Sequence, residues 1–96
     1  MMKSRKNLRM AESIHRAVSL IVEELSDPRV GFVTITRVEV SDDLKHAEIF
    51  FSVLGGEDEH ERTLEGLRSA KGFVRTQLAR RVRFRRVPTI DFNYEL

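Results

Sequence analysis

Arg68, Lys71, Arg75, Arg80, Arg81, Arg83, Arg85 and Arg86 follow one another with no acid between them. Guanidinium groups offer planar, bidentate donors suited to phosphate, and a merely solvated face would mix acids among them. On a helix, Thr76, Arg80 and Arg83 fall opposite Val74, Leu78 and Val82, so these arginines are presented and not buried. A second basic stretch opens the chain, where Lys3, Arg5, Lys6, Arg9 and Arg16 stand against Glu12 alone. Most acids lie between the two stretches, including Glu57, Asp58, Glu59, Glu61 and Glu65. The net charge is only +2, but its segregation points to a polyanionic partner.

Catalytic chemistry finds no comparable foothold. His15, His46 and His60 are far apart and lack the short spacing of a metal site. The carboxylates at Glu57–Glu61 suit the positive end of a helix and lack the alternation and glycine of a calcium loop. No serine sits in a nucleophile elbow, Gly55-Gly56 is too short for a phosphate loop, and there is no cysteine. The expectation is a protein with no catalytic residue, no cofactor and no metal. A small hydrolase of acylphosphatase type would need a phosphate-cradling loop around an arginine and an asparagine. Asn93 and the arginines are present without such a loop. Stacking of bases is not expected either, because Phe50 alone falls on a polar strand face and should be covered by Phe32 or Val38. Recognition should rest on helix ends and backbone contacts.

The elements that hold these residues follow from periodicity. Leu8, Ala11, Ile14, Val18, Ile21, Val22 and Leu25 form one helical stripe over Leu8–Leu25, closed by Asp27-Pro28 and a turn through Gly31. Phe32–Val40 is β-branched and predicts a strand. Val33 and Ile35 share one parity and Val38 and Val40 the other, as either a bulge or burial of parts of both faces would explain. Ser41–Lys45 is the turn into a strand over His46–Val53, which places Ala47, Ile49, Phe51 and Val53 on one face. After Gly55-Gly56 a helical stripe runs through Leu64, Leu67, Ala70, Val74, Leu78 and Val82, with a bend expected at Gly72. Pro88 opens a last strand, Thr89–Tyr94.

The reading is one α+β domain over residues 1–96, order α-β-β-α-α-β, with helices on one face of a three-stranded sheet. The segment 1–7 is expected to be mobile. No run of about 18 apolar residues is present, so neither a membrane nor a secretory route is expected. A cytoplasmic monomer is.

That order, with a bend between two helices, resembles a type II KH domain. Such domains carry GxxG at the bend, whereas this chain has Ser69-Ala70-Lys71-Gly72. An Ala-x-Gly kink there is similar to bacterial ribosome-binding factor A. Three further stretches resemble the same family: Asp27-Pro28-Arg29-Val30-Gly31-Phe32-Val33-Thr34; Val38-Glu39-Val40-Ser41 running on to His46-Ala47; and Gly72-Phe73-Val74-Arg75 leading to Arg80-Arg81-Val82-Arg83 and Val87-Pro88. Asp42 stands where the family pattern has proline. The resemblance implies an assembly factor that binds free 30S small ribosomal subunits, assists late maturation and processing of 16S rRNA, and matters for growth in the cold. Lys71, Arg75, Arg80, Arg81, Arg83, Arg85 and Arg86 would then contact rRNA phosphates, with Lys3, Arg5, Lys6, Arg9 and Arg16 as a second edge. Ala70 and Gly72 would set the interhelical angle. Small-subunit ribosomal proteins are further candidate partners. The alternative is a generic KH-like RNA-binding domain without ribosomal specificity.

Overall fold

Ile14, Ala17, Val18, Ile21 and Val22 recur at helical spacing and are all buried, which makes α1 (Arg5–Glu23) the helix that covers one face of the sheet. The computed structural model describes residues 5–96, so residues 1–4 of the segment expected to be mobile lie outside the described residues. Arg5, Lys6 and Asn7 are helical, and the helix starts three residues before Leu8. Leu8, placed on the stripe by its spacing, is 58% exposed, while Asn7 is only 3% exposed. The Asn7 amide donates to the carbonyls of Val40 and Ser41 at 3.2 and 2.6 Å, which fastens the start of α1 to the end of the first strand.

The other end of α1 closes earlier than Asp27-Pro28. The amides of Glu24 and Leu25 donate to the Ile21 and Val22 carbonyls, tightening the last turn. Asp27–Val30 is then a β-turn with Pro28 at its second position, and the Val30 amide donates to the Asp27 carbonyl at 3.0 Å. The Asp27 carboxylate accepts from the Arg29 amide at 2.9 Å and from the Arg29 guanidinium at 2.7 Å. The Arg29 side chain, followed by its backbone amide, holds the Asp27 carboxyl down to about 2.

The sheet consists of β1 (Val33–Val40), β2 (His46–Val53) and β3 (Thr89–Tyr94) in that spatial order. β1 and β2 are antiparallel, and β2 and β3 are parallel. Between Ile35 and Arg37 the register shifts, leaving Thr36 unpaired as a bulge. Beyond it Val38 pairs with Ile49 and Val40 with Ala47, so both parities of β1 reach the same face. Ile35, Val40, Ala47, Ile49, Phe51, Ile90 and Phe92 form the sheet's share of the core, and the helices supply the rest.

Helix α2 (Glu57–Ser69) follows Gly55, whose φ of 119° is open to glycine and strained for other residues. Gly66 in α2 lies against the Asp27–Val30 turn, where an added Cβ would stand 2.8 Å from a Val30 methyl. The break before α3 (Lys71–Arg81) falls at Ala70 (φ −91°, ψ 4°), not at Gly72. Gly72 is inside the first turn of α3, and a Cβ there would meet nothing. α3 ends at Arg81, because Val82 is already extended. Val82 and Arg83, placed on the helix by periodicity, therefore begin the loop to β3.

Two predictions follow from this packing. Gly66→Ala should destabilise the fold by about 1–3 kcal/mol through overpacking against Val30. Gly72→Ala should stabilise it by up to about 1 kcal/mol through helix propensity. Urea unfolding midpoints of the two variants should thus move in opposite directions. The Asp27–Arg29 contact predicts a pH dependence. A carboxyl lowered from 3.8 to about 2 adds stability that is present above about pH 4 and lost as pH falls towards 2. Asp27→Asn should flatten that acid loss, as read by unfolding midpoints across this range; an unchanged slope would contradict the assignment.

Candidate nucleic-acid interface

Lys6 and Arg9 of α1 and Arg83 of the loop after α3 border one groove, floored by Met10, Leu44 and Val82. A neighbouring groove joins Lys45, Arg85 and Arg86 across Met10 and Leu44. The two basic stretches, distant in sequence, thus meet over a common apolar floor. Lys45 completes the cluster and escaped the charge pattern because it sits in a turn beside Asp42 and Asp43.

Leu44 reaches this floor through an uncommon backbone. Its φ is 62°, which costs a residue with a side chain about 1–2 kcal/mol. The turn compensates with a dense set of hydrogen bonds. The Leu44 amide donates to the Ser41 carbonyl at 2.9 Å. The Ser41 hydroxyl donates to the Asp43 carboxylate at 2.7 Å and accepts from the His46 amide at 3.0 Å. The Lys45 amide donates to Asp43 as well, at 3.0 Å. The Ser41 hydroxyl and the Lys45 amide keep the Asp43 carboxyl below its ordinary range, so one acid remains charged on a basic rim.

The other basic residues divide into two groups. Arg75 donates to the carbonyls of Val87 and Pro88 at 2.8 and 3.0 Å, which straps the loop after α3 to that helix. Arg81 pairs with Glu24 at 2.5 Å, Arg16 with Glu12 at 2.8 Å, and Lys71 with Asp91 at 3.6 Å. Burial pushes the Asp91 carboxyl up, but the Phe92 amide and the charges of Arg68 and Lys71 outweigh it and lower it overall. Among the described residues, Arg5, Lys6, Arg9, Arg80, Arg83, Arg85 and Arg86 are exposed and make no ion pair. Lys3 lies outside the described residues. Ala70 and Gly72 open α3 well away from the Met10–Leu44 floor in sequence, and neither lines these two grooves.

The open face of the sheet has a different character. Phe50 is capped by the Arg37 guanidinium, 3.8 Å from the ring centroid, and not by Phe32 or Val38. Arg37 in turn binds Glu39 and Glu95, and the Arg37 side chain draws the Glu95 carboxyl below its usual range. Glu48 accepts from Asn93 and lies 3.2 Å from the His46 ring. With Glu39, Glu48 and Glu95 on it, this face repels phosphate and offers no bare ring for a base. No group of three His, Cys, Asp or Glu side chains among the described residues could hold a metal ion, and no helix there is long and apolar enough to cross a membrane. What the basic grooves can do chemically is hold phosphate oxygens at their rim and cover apolar surface at their floor.

Known proteins share the sequence and the fold. The sequence profile of ribosome-binding factor A matches residues 6–95. A ribosome-binding factor A from Desulfitobacterium hafniense is 49% identical over 96 residues, spanning 99% of this chain and 76% of that protein. The crystal structure of ribosome-binding factor A from Thermus thermophilus superposes with a TM-score of 0.82 at 28% identity, over 92% of this chain and 94% of the other. A homology model of Thermus thermophilus ribosome-binding factor A, as fitted into a cryo-electron-microscopy map of a 30S complex, matches at a TM-score of 0.74 and 30% identity, over 86% of this chain and 88% of that one. Profile, sequence and fold coincide over nearly the whole length, and the chain belongs to the ribosome-binding factor A family.

Proposed function

We propose that this protein is a non-catalytic ribosome assembly factor of the cytoplasm. It binds free 30S small subunits, assists late maturation and processing of 16S rRNA, and supports growth in the cold. The observation that carries the reading is the convergence of Lys6, Arg9, Lys45, Arg83, Arg85 and Arg86 on the Met10–Leu44 floor, with the arginines and Lys6 making no ion pair among the described residues. The Thermus relative placed in a 30S complex supports the choice of polyanion. Docking would act by differential affinity, favouring one arrangement of rRNA helices over another and so delaying subunit joining.

The internal ion pairs and hydrogen bonds support a narrower proposed contact set. Arg5, Lys6, Arg9, Arg80, Arg83, Arg85 and Arg86 are the proposed phosphate ligands, Lys3 and Lys71 add charge, and Arg16 and Arg81 must leave or share a carboxylate to take part. Arg75 acts chiefly by holding the loop that presents Arg83, Arg85 and Arg86.

Co-sedimentation with small subunits, large subunits and complete ribosomes tests the reading. Salt-sensitive binding to free small subunits alone is expected. Equal binding to all three would reduce the protein to a generic RNA-binding domain. Arg85→Glu with Arg86→Glu should weaken small-subunit binding at least tenfold and lower the salt slope by about 1 for each lost phosphate contact, leaving the unfolding midpoint unchanged. Arg75→Gln should instead lower stability by on the order of 1 kcal/mol.

A further inference from the structure

The end of the hairpin opposite the basic groove carries two large apolar side chains in water. Phe32 is 91% exposed and Leu54 is 84% exposed. Val33 pairs with Val53, so Phe32 and Leu54 are the next cross-strand neighbours beyond the last pair. Grooves lie on both sides of Phe32. One of about 340 Å³ runs along Val22, Leu25 and Val30, and one of about 230 Å³ runs along Pro28, Val53 and Leu54. An apolar surface of this kind, reached from two sides, is uncommon on a small protein that has no use for it.

Its surroundings are acidic. Glu23 lines the first groove and Glu59 the second, and Glu57 and Asp58 open α2 directly after Leu54-Gly55-Gly56. None of these four carboxylates has an ion-pair partner among the described residues. The nearby Arg29 is consumed by Asp27 and Glu65, at 2.7 and 3.0 Å. Arg62 is the remaining cation on the groove lining. Negative charge around an apolar centre repels RNA and anionic lipid and attracts a cationic partner. A β-strand of eight residues separates the two ends of the hairpin by roughly 25 Å, so this surface and the Met10–Leu44 floor meet different parts of any large assembly.

We infer that the Phe32–Leu54 end is a docking surface for a lysine- and arginine-rich protein segment that inserts a large apolar side chain between Phe32 and Leu54. Resting on the small-subunit reading above, the partner would be a basic ribosomal-protein segment on the same particle whose RNA is held at the other end. The aromatic and leucine side chains supply the buried centre of the contact, and Glu23, Glu57, Asp58 and Glu59 supply its charged rim.

The chain has no cysteine, so Leu54→Cys and Asp42→Cys each create a single site for a benzophenone maleimide at opposite ends of the hairpin. After irradiation with purified small subunits, position 54 should crosslink to a protein within a Lys/Arg-rich stretch, and position 42 to rRNA. Phe32→Ser with Leu54→Ser should weaken small-subunit binding about tenfold with the salt slope intact, and both positions are exposed enough to leave the unfolding midpoint in place. Glu23→Lys with Glu57→Lys supplies the test of sign. Added lysines strengthen a contact with RNA and weaken one with a basic protein, so a loss of binding is expected. A crosslink from position 54 to rRNA or to a second copy of the chain, no protein crosslink, or unchanged affinity in the double serine variant would overturn the inference. Parent protein that fails to bind small subunits would overturn the functional reading as well, and that control is read separately.

Discussion

Side chains alternate along a strand, so a single residue of slippage exchanges its two faces. β1 uses that rule deliberately. Up to Ile35 its apolar residues have odd numbers, and from Val38 they have even ones; the unpaired Thr36 absorbs the change. Were the strand to pair without the bulge, Val38 and Val40 would turn to the open face, and Arg37 and Glu39 would turn into the core. Burial of an unpaired guanidinium or carboxylate costs far more than a bulge. The carbonyl of Ile35 at the bulge is not left idle, since the Nε2–H of His15 donates to it at 2.8 Å. His15 thereby links α1 to the irregular point of the strand that α1 covers. The acidic open face, the capped Phe50 and the intact core all depend on this register.

The basic residues show how a charge pattern in sequence divides into different roles in space. All eight cations from Arg68 to Arg86 look alike as letters. Arg68 reaches over β3 to Asp91 and to the Phe92 carbonyl. Arg75 satisfies two carbonyls of a loop that has no other regular structure, and Arg81 ties the end of α3 to Glu24. Such contacts consume donors that the proposed phosphate contacts would otherwise use. What remains outward is the group at the mouth of the loop, a loop that Arg75 ties to α3 through two of its carbonyls. A loop held by backbone carbonyls loses less conformational freedom on binding than a free one, which favours affinity.

Periodicity made the elements, their order and the apolar side of each legible, because burial of one face is imposed residue by residue. It failed where a single side chain overrides the pattern. Asn7 is buried in place of Leu8 because its amide donates to two backbone carbonyls, those of Val40 and Ser41, at the end of β1. The break between α2 and α3 sits at Ala70, although glycine is the residue that usually marks a break. Ala70 has ordinary negative φ and needs no glycine. Val82 fits the stripe by spacing and leaves the helix by conformation. The candidate site was half legible: the two basic stretches stood out, while their meeting place did not. That meeting depends on Leu44 adopting a left-handed backbone, and nothing in a leucine announces it.

α1 runs between the two proposed contacts. Its first turn is anchored at Val40 and Ser41 beside the basic groove, and Val22 near its end lines the groove beside Phe32. Nineteen helical residues make a rod of about 28 Å. Phosphate contacts by arginine are unspecific on their own, and so is a basic segment against an acidic, apolar surface. Joined by a stiff body, the second contact becomes intramolecular once the first has formed, and it forms only where the spacing matches. Selectivity for one assembly state can then arise from a distance rather than from base readout. A maturing particle whose RNA and protein elements have not reached their final separation differs from a finished one in that quantity.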